Sequence, residues 1–130
     1  MIKFGYTILY VADVSKAVEF YTSAFGLEKK FISPDNDYAE LLTGETALAF
    51  ISRELGHANL KEGFVPSRLA DKPFGIELGF VTTNVSEVIE SAVSKGAVLV
   101  ESPKEKPWGQ TVAYVRDIDG FLIEICTPVG

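Results

Sequence analysis

The chain has 130 residues, 47% of them hydrophobic and 23% charged, which suits one folded domain and is too apolar for a disordered chain. Twelve Lys and Arg stand against eighteen Asp and Glu, a net charge of −6; no basic cluster exists to neutralise a run of phosphates, which argues against a nucleic-acid partner. The single cysteine, Cys126, rules out an intramolecular disulfide, fits a reducing compartment and is expected to be a small buried thiol.

In chain order, "MIKFGYTILYVAD" holds an apolar run that Asp13 ends too soon for a signal peptide or a membrane span, so a cytoplasmic location is expected. The run reads as a first strand over about 3–11. Asp13 then caps an amphipathic helix in which Val14, Ala17, Val18, Tyr21 and Phe25 recur at helical spacing, and Gly26 closes it. Strand patterns follow at about 27–33, 38–43 and 46–53. Residues 54–73 read as a linker, long for a compact domain, that serves as a lid or as an arm reaching a second subunit. It holds His57, the sole histidine, read as a surface residue.

The pattern then restarts with a strand at about 75–82. Asn84 opens a second helix, with Glu87 three positions on as in a capping box. Val85, Val88, Ile89 and Ala92 form its apolar stripe, Gly96 closes it, and strands follow at about 98–103, 110–116 and 121–127. "DVSKAVE" at 13–19 maps onto "NVSEVIE" at 84–90, and "TGETALAF" and "DIDGFLIEI" both read as a turn and then a final strand. The expected class is α+β. Two tandem β-α-β-β-β modules, 1–53 and 74–130, are joined by the linker into a single domain over 1–130. Curved mixed sheets would surround a cup, with the helices outside.

Strand alternation puts Ile76, Leu78 and Phe80 on one face with Phe121, Ile123 and Ile125, to pack under the helices. The opposite faces then carry Tyr6, Ile8, Tyr10, Ala47, Ala49 and Ile51, and Glu77, Gly79, Val81, Leu122, Glu124 and Cys126. If Glu77 and Glu124 are close and partly desolvated, one keeps its proton near neutral pH or attracts a cation. Either acid then serves as a general base or anchors an ammonium or guanidinium. In the competing reading both face water or pair with Arg53 or Arg116. Arg53, Arg68 and Arg116 are otherwise expected at the solvated surface, and Gly120 is expected to serve the turn after Asp119. Trp108, between Pro107 and Gly109 on a loop, suits stacking on a planar ligand or covering a cation, or else a lid or dimer contact.

"YTILYVADVSKAVEFYTSAFGLE" and "VRDIDGFLIEI" resemble the opening and closing segments of the vicinal oxygen chelate superfamily. That superfamily includes glyoxalase I, extradiol dioxygenases, fosfomycin-resistance enzymes and bleomycin-resistance proteins. Its metal-dependent members take ligands from the first and last strands of each module, and the internal repeat carries those positions onto Tyr6, Ala49, Glu77 and Glu124. Histidine, which such enzymes generally use there with glutamine and glutamate, is absent from all four. No metal cofactor is therefore expected; were one present, Glu77, Glu124 and Tyr6 would hold it, and the set suits a hard cation such as Mg²⁺ or Mn²⁺.

"PWGQTVAYVRDIDG" is similar to the stretch of bleomycin-resistance proteins whose tryptophan lines the drug groove, which gives Trp108 the same implied role. The resemblance further implies a homodimer. Its cup would bind or sequester an aromatic or cationic small molecule without metal, with Tyr6, Tyr10, Glu77, Trp108 and Glu124 as ligand-binding residues. The competing expectation is a metal-dependent lyase, isomerase or dioxygenase with a carboxylate-rich site and Glu77 or Glu124 as candidate base. A third is an interaction module that takes no small ligand.

Overall fold

The computed structural model describes residues 1–129, arranged as β1 (Tyr6–Val11), α1 (Val14–Phe25), β2 (Glu28–Ile32), β3 (Tyr38–Leu42), β4 (Ala47–Ser52), α2 (Arg53–Asn59), β5 (Glu77–Val81), α3 (Val85–Ser94), β6 (Val98–Glu105), β7 (Thr111–Arg116) and β8 (Leu122–Cys126). The chain divides into two compact units, one running through Pro66 and the other from Ser67 onward.

In unit one the strands lie in the order β1-β4-β3-β2, with β1 parallel to β4 and the other pairs antiparallel. A parallel pair needs a crossover, and α1 carries the chain from one edge strand to the other. The helix starts because Asp13 is extended and its carboxylate accepts the Lys16 amide at 3.1 Å. It stops at Gly26, whose φ of 69° is the left-handed conformation glycine adopts without penalty. Its face of Val14, Ala17, Val18 and Tyr21 is buried, and the Tyr21 ring lies 5.2 Å from that of Phe50 on β4. Leu9, Val11, Leu41, Leu48 and Phe50 complete this buried layer. Truncating Phe50, which is fully buried, would cost about 3–5 kcal/mol.

The stretch read as a linker opens with a short helix, α2. Ser52 caps α2 by accepting the Leu55 amide at 3.1 Å. Seven residues with a central glycine have little intrinsic helicity, so tertiary packing holds this turn together. Gly56 is needed there because a Cβ would come 2.7 Å from the Tyr10 ring and 3.0 Å from Phe64. Tyr10 meets Phe64 edge-on at 4.7 Å, and His57 stacks on the same Phe64 ring at 4.5 Å.

Unit two repeats the sheet, in the order β5-β8-β7-β6 with β5 parallel to β8. Val85, Ile89 and Ala92 of α3 are buried, as are Ala113, Val115, Ile123 and Ile125 of the sheet. The expected Asn84 side-chain cap does not form. Its ψ of 64° takes the residue out of the extended cap conformation, and its own amide donates to Thr82 Oγ1. Ile76, expected under the helix, precedes β5 and is 70% exposed.

The closing Asp-x-Asp-Gly turn is a structural device. Asp117 is fully buried, and its Oδ1 accepts the amides of Asp119 and Phe121, both at 2.9 Å. Arg116 is buried as well, which overturns its expected place at the solvated surface. Its guanidinium donates to the Gly120 and Arg68 carbonyls at 2.9 Å and to that of Leu69 at 3.3 Å, pinning the start of the unit to its last turn. Five donors in a planar fork make this multiple capture possible. Among the described residues no helix is long and apolar enough to cross a membrane.

Candidate functional site

The β5–β8 register pairs Glu77 with Leu122, Gly79 with Glu124 and Val81 with Cys126, so Glu77 and Glu124 project from the same face on diagonal positions. Gly79 lies directly beside Glu124, and a Cβ there would meet nothing within 4 Å, so open space adjoins the acids. Desolvation first and the neighbouring charge of Glu124 second raise Glu77, although its residue is exposed, above the usual carboxylate range.

A third group joins them from β7. Tyr114 is the cross-strand partner of Glu124, and its hydroxyl donates to Glu124 Oε1 at 2.9 Å. That bond, followed by burial and by the charges of Glu124 and Glu77, pushes the phenol up to about 12. Cys126, next along β8, is 4% exposed, as expected of a small buried thiol. Burial first and Glu124 second raise its thiol, so it stays protonated and a poor nucleophile. Of the bases considered as partners for the acids, Arg116 is committed to backbone carbonyls. The face thus gathers two carboxyls, a phenol and a thiol.

Unit one presents the related positions. Tyr6 pairs with Ala47, Ile8 with Ala49 and Tyr10 with Ile51 on one face, with Ala49 fully buried. Ala49 stands opposite Glu40 on β3, just as Glu124 stands opposite Tyr114 on β7. Acid and non-acid have exchanged strands between the repeats. Glu40 is only 8% exposed, its Oε2 accepts from the Tyr38 hydroxyl at 2.7 Å, and Lys30 Nζ lies 3.6 Å from Oε1. Burial and then the Glu40 carboxylate move the Tyr38 phenol well above its ordinary value. Sequence reasoning passed over Glu40, Tyr38, Lys30 and Tyr114. The lone acid in "YAELL" was the available signal, of the same kind as the acid in "FLIEI".

Tyr10 is packed by Gly56 and Phe64 and is half-buried. Trp108 lies on the turn between β6 and β7, 64% exposed, and its Nε1 donates to Gln110 Oε1 at 2.8 Å. Gln110 in turn donates to the Thr127 carbonyl at 2.8 Å. Tyr114 and Glu124 sit in mid-strand, away from that turn, and no hydrogen bond links Trp108 to them.

A transition-metal site normally needs at least three protein donors with imidazole or thiolate among them. No group of three His, Cys, Asp or Glu side chains is placed to hold an ion among the described residues, and the phenol beside Glu124 holds its proton to about 12. At the fourth position the repeat puts the methyl group of Ala49. This donor set, without imidazole or thiolate, does not fit a catalytic transition metal.

Two four-stranded mixed sheets, each built on a β-α-β-β-β unit, define the class of protein found in the vicinal oxygen chelate superfamily. The chain belongs to the glyoxalase-like domain family, whose sequence model matches residues 4–130. It is 31% identical over 118 residues to the uncharacterized protein YraH of Bacillus subtilis, covering 90% of this chain and 91% of that protein. It is 26% identical over 129 residues to the lactoylglutathione lyase GLX1 of Arabidopsis thaliana, covering 95% of this chain but only 43% of that one. A glyoxalase-related enzyme from Fulvimarina pelagi superposes with a TM-score of 0.84 at 23% identity, over 100% of this chain and 94% of its own, a likeness of fold.

Proposed function

We propose that the protein binds or sequesters a cationic or aromatic small molecule without a metal, and that Glu77 and Glu124 anchor it. The observation that carries this reading is the carboxyl pair itself, set on one strand face beside open space, with one Glu124 oxygen held by Tyr114. An arriving ammonium or guanidinium forms charge-assisted hydrogen bonds to both acids. Exposed Trp108 offers an aromatic surface on unit two, and Tyr6 and Tyr10 offer one on unit one. Tyr6, Ile8 and Val81 are 55%, 42% and 64% exposed on strand faces, apolar surface that a second copy of the chain would cover as a homodimer.

The second reading is a metal-dependent lyase, isomerase or dioxygenase, favoured by the lyase name of the Arabidopsis relative. Elemental analysis of chelator-free protein, followed by titration with Mn²⁺, Fe²⁺ and Zn²⁺, separates the two. Stoichiometric metal that disappears in Glu124→Gln would install the second reading. Saturable quenching of Trp108 by cationic aromatic compounds, weakened in the same variant and indifferent to chelator, supports the first. Indifference to every compound and every metal would leave only a module that binds other macromolecules.

A further inference from the structure

Unit one holds a hollow of about 380 Å³ between the start of β1, the end of β3 and Lys30 of β2, within the size range of small-molecule sites. Lys3, Tyr6, Lys30, Glu40 and Glu45 are among its lining residues, so two lysines and two glutamates border it, with Lys30 Nζ 3.6 Å from Glu40 Oε1. Glu40 is the unusual member, since a carboxylate at 8% exposure needs its oxygens satisfied. Its Oε2 is satisfied by Tyr38 at 2.7 Å. Its Oε1 has only the Lys30 ammonium, at 3.6 Å, beyond hydrogen-bond range. Oε1 of this largely buried side chain thus reaches the hollow and keeps an open acceptor position there.

We propose that this hollow is a second ligand site, carried by unit one alone, for an α-amino-acid-like zwitterion bearing a flat apolar substituent. The ligand ammonium donates to Glu40 Oε1 in place of solvent. Lys30, relieved of that charge, turns with Lys3 to the ligand carboxylate. The Tyr6 ring, 55% exposed at the rim, supplies a flat surface for the substituent. A purely cationic ligand would meet both lysines uncompensated, and a purely anionic one would meet Glu40 and Glu45. Only paired opposite charges satisfy the set, which also separates this site from the acid pair of unit two, where no lysine or arginine forms an ion pair with the acids among the described residues.

The test titrates the whole chain, labelled at its tyrosine rings, with L-phenylalanine, phenethylamine and 3-phenylpropionate, followed by NMR. L-Phenylalanine is expected to shift the Tyr6 and Tyr38 signals saturably, with each half-charged analogue about tenfold weaker. Glu40→Gln and Lys30→Met are each expected to weaken phenylalanine by about tenfold, while Glu124→Gln leaves it unaltered. Lys30 is 55% exposed, so its variant keeps the core intact and decides the matter should Glu40→Gln fail to fold. No saturable shift up to the solubility limit, analogues binding as tightly as the zwitterion, or wild-type affinity in Lys30→Met would each overturn the proposal. Loss of the shift in Glu124→Gln would do so too, by moving the ligand to unit two.

Discussion

The Tyr114 hydroxyl reaches across the β7–β8 pair to donate to Glu124 Oε1 at 2.9 Å, where the register sets the phenol directly opposite a strand-interior acid. The bond orients Glu124 and leaves its other oxygen for Glu77 or a ligand. Losing the phenol proton would place two anions in contact, which is why the ionisation is delayed to about 12 from an ordinary 10.0.

That delay is measurable. Phenolate absorbance followed against pH should show a late tyrosine step that Tyr114→Phe removes. In Glu124→Gln the Tyr114 step should move down toward 10.0, because the largest cause of the rise is gone. Identical alkaline titration curves for wild type and Glu124→Gln would refute the contact.

Glu77 predicts a pH dependence of stability. Its folded-state value lies above the ordinary 4.5, so between the two the folded chain holds more proton than the unfolded one. Stability contributed by this carboxyl is therefore complete below the ordinary value and is lost as pH rises through the folded one. Glu77→Gln keeps a neutral hydrogen-bonding group and should raise the urea midpoint at neutral pH, converging with wild type in acid. A variant that is less stable at neutral pH would show that Glu77 has a cationic partner.

Gly120 should tolerate no side chain. Its φ is +91°, and a Cβ would come 2.7 Å from the Arg68 carbonyl carbon and 2.8 Å from the Arg116 guanidinium. Gly120→Ala is expected to cost about 2–4 kcal/mol in denaturant unfolding. Arg116→Met, which strands carbonyls of Arg68, Leu69 and Gly120, is expected to cost about 3 kcal/mol. Wild-type stability in either variant would show that the turn relaxes freely.

Gly56→Ala tests whether α2 is held by Tyr10. Alanine normally strengthens a helix by up to about 1 kcal/mol over glycine. Here the added methyl meets the Tyr10 and Phe64 rings, so the expected result is a loss of about 1–3 kcal/mol. Pairing the change with Tyr10→Ala should restore the helix-propensity gain in a double-mutant cycle.

The repeated fold was readable from the chain alone because its signals are local. Apolar alternation, the Asp13 cap and Gly26 are set by neighbours a few residues away, and the recurrence of "DVSKAVE" as "NVSEVIE" exposed the duplication. Strand alternation likewise placed Glu77 and Glu124 on the same side of their strands. What lay beyond reach depends on contacts between distant segments. α2 exists because Tyr10 and Phe64 pack on Gly56, and Arg116 is buried because carbonyls 47 and 48 positions away accept its protons. Tyr114 and Glu40 acquired their roles from cross-strand register, which residue types do not encode one by one. Local sequence determines which elements form and which way their side chains alternate; only tertiary pairing decides which acid meets a phenol, which meets a lysine and which meets another acid, because those energies depend on distance and desolvation.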